Sequence, residues 1–295
     1  MSNPTVLLTG ATGFLGSNVA RALIDKKFSV IALRRQSSRL SRLSSAADKI
    51  KFFRLEEIDL QSLFKENSID AVIHCATDYG RKNALPLTVL EANLILPLKL
   101  LQLGAEHGIS YFINTDTILD KGVNYYSLSK SQFKDWLKIY SSRMTCINVA
   151  LEHFYGPGDD NSKFATWLIH SLLNNEKKIP LTPGLQKRDF VYIDDVIEAF
   201  MRIIEHGSRH GRGFFSYEIA SGETITIRDF AEEAKKITAN TDTFLDFGAL
   251  PYRENELMDS RVDLTTIKNL GWSPRTSLKE GLELTVAFER SKVKQ

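Results

Sequence analysis

Thr9-Gly10-Ala11-Thr12-Gly13-Phe14-Leu15-Gly16 decides how this chain folds. It follows the apolar run Thr5–Leu8 and leads into Leu15–Asp25, whose apolar residues recur at helical spacing. A strand that turns on glycines into a helix is a phosphate cradle. The glycines permit a sharp turn, close approach of backbone to a pyrophosphate, and tight packing of helix on strand. Backbone N–H groups and the dipole at the helix start then favour the anion. Gly10, Thr12, Gly13, Phe14, Leu15 and Gly16 are therefore candidate dinucleotide contacts, in a G-x-x-G-x-x-G spacing rather than G-x-G-x-x-G. A glycine turn without a ligand is the alternative, and the strand–turn–helix context weighs against it.

Outward from this turn, short apolar runs alternate with amphipathic stretches. Phe28–Leu33, Ile50–Phe53, Ala71–His74 and Tyr111–Asn114 read as further strands buried on both faces. Leu60–Glu66 and Leu87–Glu106 read as helices. Such alternation predicts a doubly wound parallel sheet with helices on both sides. After about residue 155 the pattern becomes irregular. Gly156–Asp160 and Pro180–Gly184 read as loops, and Lys163–Asn175, Asp194–Glu205, Ile227–Ile237 and Leu278–Glu289 as helices. The expectation is a dinucleotide-binding domain over residues 1–155 and a smaller mixed substrate-binding lobe over 156–295. Residues 189–220 are expected to return in part to the first domain, and the lobe to cover the carboxyl ends of the strands.

Composition narrows the function. The 295 residues carry 38 Lys+Arg against 36 Asp+Glu, a net charge of +2, too balanced for gripping nucleic acid. No uninterrupted apolar stretch approaches the roughly 20 residues of a bilayer span. Ahead of Val6 there is neither a basic segment nor a cleavage site, so no signal peptide and a cytoplasmic location are expected. Two cysteines, Cys75 and Cys146, build neither a disulfide framework nor a zinc site, and no metal is expected.

The second strand bears on the cofactor. An NAD site usually places an acid near its end for the ribose 2′-hydroxyl. Here Arg34 and Arg35 stand there, followed by Gln36 and Ser37, with no acid in the stretch. Guanidinium forks bind phosphate, so the expectation is NADP(H), against the alternative of a solvated basic loop. Downstream, Tyr126 and Lys130 lie four residues apart on a predicted helix and share a face. A tyrosine of ordinary pKa about 10 needs a nearby cation to work as an acid–base group at neutral pH. Lys130 supplies one.

The glycine turn with Tyr126 and Lys130 resembles the extended short-chain dehydrogenase/reductases over nearly the whole chain. The resemblance implies a Rossmann-type fold and an enzyme acting on a nucleotide sugar. It also implies that a Ser or Thr after the fifth strand polarises the substrate oxygen. In Asn114-Thr115-Asp116-Thr117, counting from the strand selects Thr117. Counting back from the family's usual Val-Tyr-Gly, absent here, selects Thr115, and Thr117 is favoured. Family dehydratases carry Thr-Asp-Glu; this chain lacks that Glu, which demotes dehydration. Arg188, in Arg188–Val196, and Arg253, ahead of Asn255-Glu256-Leu257, match phosphate-binding arginines.

Tyr79-Gly80-Arg81, Leu151–Gly156 and Gly184–Phe190 are similar to blocks in reductases of CDP-linked 3,6-dideoxyhexoses that serve surface polysaccharides. On that likeness Tyr79, Arg81, Thr117, His153, Lys163, Arg188 and Arg253 are expected to bind substrate. Ser37, Cys75, Ala76, Asn93, Tyr126 and Lys130 are expected to join the cofactor site. His153 stands where most relatives have Asn. The reading is an NADPH-dependent 4-ketoreductase, with a 4-epimerase that keeps NAD bound, or a non-catalytic NADP-sensing or RNA-binding protein, as alternatives. A homodimer through Leu87–Glu106 and Tyr126–Tyr140 is implied by the same family.

Overall fold

The computed structural model describes residues 3–81, 84–254 and 256–293. In chain order the elements are β1 (Thr5–Thr9), α1 (Phe14–Asp25), β2 (Ser29–Arg34), β3 (Ile50–Arg54), α2 (Leu60–Glu66), β4 (Ala71–His74), α3 (Pro86–Leu90), α4 (Leu96–Glu106), β5 (Tyr111–Thr117), α5 (Tyr125–Tyr140) and β6 (Thr145–Leu151). They continue with β7 (His153–Tyr155), α6 (Phe164–Leu173), β8 (Lys178–Leu181), β9 (Lys187–Tyr192), α7 (Ile193–Arg209), β10 (Gly213–Ile219), β11 (Thr224–Thr226), α8 (Ile227–Ile237), β12 (Phe244–Phe247), α9 (Thr265–Lys268) and α10 (Leu278–Val293).

Two compact units result. The first comprises residues 1–151, 197–218 and 269–271, the second 152–196, 219–268 and 272–295. The first is built on a seven-stranded parallel sheet in the order β10-β6-β5-β4-β1-β2-β3. β1 sits between β2 and β4, with Leu7 opposite Ile31 on one side and Val72 on the other. The chain winds outward through β2 and β3, then returns to start again at β4. Between β1 and β4 the strand order therefore reverses, the place where such sheets open a crevice for a ligand. Both faces are covered, so Leu7, Val72, Phe112 and Cys146 are all buried in one apolar core.

Two strands of this sheet escape the apolar-run reading. β6 is buried throughout although its sequence, TCINVAL, interleaves Thr, Cys and Asn. β10, GFFSYEI, closes the sheet beside β6. Pro86–Glu106 forms a continuous helical stretch of 21 residues, long and apolar enough by composition to cross a membrane. Glu91, Lys99 and Glu106 interrupt it, and it packs Val89, Asn93, Leu100, Leu101 and Leu103 into the first unit. A π-helical turn at Glu91–Ile95 joins α3 to α4.

The second unit holds a three-stranded sheet, β11-β9-β7, and a two-stranded one, β12-β8. Its core stacks Phe190 on Phe230 at 4.1 Å, with Tyr155 meeting both edge-on. Asp195 accepts the backbone N–H groups of Arg275 and Thr276, and Trp272 Nε1 donates to the Asp195 carbonyl at 3.0 Å. One correction to the sequence reading falls here: Pro180 and Leu181 lie in strand β8, paired in parallel with Asp246 and Phe247, not in a loop. A two-stranded sheet is all edge, where the missing N–H of a proline costs little.

Candidate active site

The glycine turn is shaped by contacts that leave no room for side chains. Gly10 has φ of +70°, and a Cβ there would lie 2.5 Å from Ala76 N and 2.6 Å from Cys75 C. The turn after β1 thus rests directly on the exit of β4. A Cβ on Gly16 would fall 2.1 Å from Gly10 O, so the first turn of α1 packs on the turn itself. Gly13 is the N-cap of α1, with no side-chain cap and no acid in the first helical turn. Thr9 Oγ1 accepts from Ala76 N at 3.2 Å and meets His74 Nδ1 at 2.8 Å. The result is an uncapped helix start on a turn packed too closely for a Cβ at Gly10 or Gly16, which fits a dinucleotide pyrophosphate at that helix start.

At the end of β2, Arg34 is half-buried and its Nε has no hydrogen-bond partner among the described residues, while Arg35 and Ser37 are exposed. A buried guanidinium nitrogen without a partner fits an incoming phosphate. The sequence reading missed an acid here. Glu56, from the segment after β3, accepts Gln36 N at 3.1–3.2 Å. No signal within β2 could have announced it, because the carboxylate comes from the turn that follows the neighbouring strand β3.

α5 begins at a capping box. The Asn124 side chain accepts from Ser127 N while Asn124 N donates to Ser127 Oγ, which fixes the first turn that carries Tyr126. Burial pushes the Tyr126 phenol well above its usual pKa, and Tyr79 and Asp116 push the same way. A hydrogen bond with Thr117 and the charge of Arg81 pull it back. The ring of Tyr79 lies 5.2 Å from that of Tyr126, and Arg81 Cζ lies 4.9 Å from the Tyr79 ring. Lys130, one turn on, is 1% exposed and donates to Thr115 O at 2.8 Å. Burial brings its ammonium down to about 8, against the pull of Asp116 and Cys75.

Both hydroxyls left open by the sequence have defined places. Thr115 Oγ1 is buried and donates to the His74 carbonyl at 3.0 Å, whereas Thr117 meets Tyr126. Asp116 accepts Thr117 N on one oxygen and Asn148 Nδ2 on the other. Burial, reinforced by Lys130, holds the His74 imidazole well below its usual pKa, and burial pushes the Cys75 thiol up to about 12. Asn93, expected beside the cofactor, spends its amide within the protein: it accepts Asp78 N at 2.9 Å and donates to Asp78 O and Ser129 Oγ.

The remaining expected residues belong to the second unit. His153 Nδ1 lies 2.6 Å from buried Glu152, which also accepts from Ser260 Oγ. Lys163 Nζ lies 3.3 Å from Asp159 and 3.8 Å over the Phe154 ring. Arg188 pairs with Glu256 and donates to the carbonyls of Lys187 and Leu257. Arg253 is exposed, and Asn255, part of its motif, lies outside the described residues. Among the described residues no three His, Cys, Asp or Glu side chains are grouped to hold a metal ion.

Comparison with known proteins gives a consistent picture. The profile of the NAD dependent epimerase/dehydratase family matches residues 6–220. CDP-abequose synthase of Salmonella muenchen is 32% identical over 97% of this chain and 98% of that protein. The CDP-abequose synthase of Salmonella typhimurium is also 32% identical, over 94% of this chain and 96% of that one. Among solved structures, UDP-glucose 4-epimerase from Thermotoga maritima, with UDP-glucose, has a TM-score of 0.85 at 24% identity, covering 98% of this chain and 99% of its own. That likeness establishes the fold.

Proposed function

The chain belongs to the NAD dependent epimerase/dehydratase family, and we propose that it reduces the C4 keto group of a CDP-linked 4-keto-deoxyhexose with NADPH, in the cytoplasm, toward a surface polysaccharide. The observation that carries this reading is the 32% identity to CDP-abequose synthases across nearly the full length of both chains.

The glycine turn, Arg34 and Arg35 would hold the dinucleotide, whose nicotinamide would supply hydride for C4. The protein's task is to place the sugar and manage the charge that appears on the C4 oxygen. Tyr126 is kept protonated by its burial, the form needed to give its phenolic proton to that oxygen. Thr117 would hydrogen-bond the same oxygen while it keeps Tyr126 in place. Lys130 fixes the end of β5 through Thr115 O and would reach the cofactor ribose. Arg34 and Arg35 would hold the 2′-phosphate, with the unpartnered Arg34 Nε as the supporting observation. Arg188 and Arg253 would receive the diphosphate, Arg188 by exchanging its pairing with Glu256. His153, Lys163, Tyr79 and Arg81 complete the proposed sugar-nucleotide contacts.

A homodimer through α4 and α5 is part of the proposal. It is supported by Tyr125, Leu128, Trp136 and Ile139, large apolar residues left exposed along α5. A 4-epimerase with bound NAD is the second reading, favoured by the 27% identity to the UDP-glucose 4-epimerase of Mycolicibacterium smegmatis over 97% of this chain and 98% of that protein. Purified protein mixed with CDP-, dTDP- and GDP-4-keto sugars and NADPH decides between them. Stoichiometric oxidation of NADPH with the CDP sugar supports the reductase; interconversion of 4-hydroxy sugars without net NADPH loss refutes it.

A further inference from the structure

We infer that Arg81 is a positioning residue for Tyr126: stacked on Tyr79, its guanidinium supplies from the loop after β4 the positive field in which Tyr126 gives up its proton. The inference rests on the reading of Tyr126 as the proton donor.

The geometry forms a three-part stack. Arg81 Cζ lies 4.9 Å from the Tyr79 ring centre, and that ring lies 5.2 Å from Tyr126 at an interplanar angle of 49°. A guanidinium over an aromatic face is held by the ring quadrupole and still projects its charge beyond it. The stack is not left to a loose loop. Asn93 binds both the N–H and the carbonyl of Asp78, and its amide also donates to Ser129 Oγ at 3.0 Å. Ser129 Oγ in turn donates to the Tyr126 carbonyl at 2.8 Å. Asp78 Oδ1 accepts Gly80 N at 2.8 Å, in a turn that Gly80 enters at φ of +65°. One chain of hydrogen bonds therefore ties the loop bearing Tyr79 and Arg81 to the helical turn bearing Tyr126. The π-helical turn that contains Asn93 has its role here, since it brings that amide between the two.

The charges around Tyr126 leave a place for this cation. From β5, Asp116 opposes the phenolate while the Thr117 hydroxyl favours it; from the loop, Tyr79 opposes it and Arg81 favours it. From the same helix, Lys130 directs its ammonium to Thr115 O. Burial weighs heavily against the phenolate, and a cation seven residues past the end of β4 offsets part of that penalty.

The test replaces Tyr126 with 3-nitrotyrosine, whose phenolate absorbs visible light and forms near neutral pH. In this background Arg81→Met should raise the ionisation midpoint by about half a pH unit, about a threefold change in proton affinity. Arg81→Lys should restore most of it. In the otherwise native enzyme, Arg81→Met should raise the KM for the CDP-linked 4-keto sugar, as loss of a substrate contact would, and should in addition lower kcat for its reduction by NADPH about twofold to threefold. An unmoved midpoint, or a rise in KM alone, would overturn the inference and leave Arg81 as a substrate contact. Because the nitrotyrosine titration needs no turnover, a wild-type protein that reduces no keto sugar would instead refute the proposed function. Arg81 is exposed, and thermal melts of each variant establish that it is folded.

Discussion

Lys130→Met separates what the lysine does for the site from what it costs the fold. The ammonium is buried, and its pKa falls from 10.5 to about 8, chiefly through desolvation. At 1.36 kcal/mol per unit this corresponds to about 3 kcal/mol of stability withheld while the group is charged. The pH window follows from proton counts. Between about pH 8 and 10.5 the unfolded chain still holds this proton while the folded protein has released it. The unfolded state then binds more protons, so this group's contribution to stability rises with pH across the window and is lowest below it. Methionine has nearly the same shape and no charge. It forfeits the 2.8 Å bond to Thr115 O, and an unsatisfied buried carbonyl costs about 1–3 kcal/mol. The variant should therefore be more stable than wild type at pH 7 by about 1–2 kcal/mol, or about 2–4 °C in Tm per kcal/mol. That advantage should shrink by about 2 kcal/mol at pH 10. Turnover with NADPH should fall by about a hundredfold or more. Urea unfolding of both proteins at pH 7 and pH 10 measures the effect. A variant less stable at pH 7, with a difference that does not change with pH, would show that the protein fully compensates the buried ammonium.

Other perturbations address the cofactor. Gly16→Ala would press a Cβ to 2.1 Å from the backbone oxygen of Gly10, so α1 must lift from the turn. We expect a loss of about 1–3 kcal/mol in stability and weaker NADPH binding by calorimetry; wild-type affinity would show that the cradle does not hold the pyrophosphate. Arg34→Ala with Arg35→Ala should raise the KM for NADPH about tenfold or more while that for NADH barely moves, and equal effects would remove the basis for NADP(H). Glu56→Gln, which discharges the carboxylate bound at Gln36 N, should increase the preference for NADPH over NADH about twofold to fivefold. An unchanged ratio of kcat/KM values would mean that Glu56 only braces the loop.

Much of this was legible because a parallel sheet buried on both faces writes itself as unbroken apolar runs. VLL, VIAL and AVI stand out for that reason, and the glycine turn lies where the first run ends. β6 was not legible because its polar residues, Thr145 and Asn148, are satisfied by partners far away in sequence, the former by the carbonyls of His210 and Gly211. Glu56 escaped for a related reason, as did the action of Arg81 on Tyr126, since the sequence marked Arg81 only as a substrate contact. Each acts on a residue 20 or 45 positions away, and only the register of β2 with β3, or the staple through Asn93, brings the pairs together. The π-helical turn left no trace in the pattern, since one extra residue per turn barely disturbs an apolar helix face. That Thr115 spends its hydroxyl on the His74 carbonyl follows from the β4–β5 pairing, which neither threonine's place in the sequence reveals.

The register also exposes a boundary that no single strand reveals. Leu8, Ile73, Ile113 and Ile147 are partners across β1, β4, β5 and β6, an apolar row through the middle of the sheet. One residue further along, the partners are Thr9, His74, Asn114 and Asn148, all buried and all polar. Thr9 meets His74 at 2.8 Å, and Asn114 donates to Asn148 at 2.9 Å, which passes the chain on to Asp116 at 2.8 Å. A row of this kind is a poor way to stabilise a sheet, for each group must be desolvated and Asn114 Oδ1 still finds no partner among the described residues. Its position explains why it stands there. Immediately beyond it come Gly10, Cys75, Thr115 and Asp116, the residues against which the glycine turn, Lys130 and Tyr126 are set. An apolar row would pack better but would leave Asp116 only its bond from Thr117 N and His74 no tie to the Gly10 turn. The row marks where the core of the sheet ends and the candidate site begins. The cost of burying Lys130 falls on the same boundary, so the least stable chemistry in the unit is gathered where proton transfer is proposed.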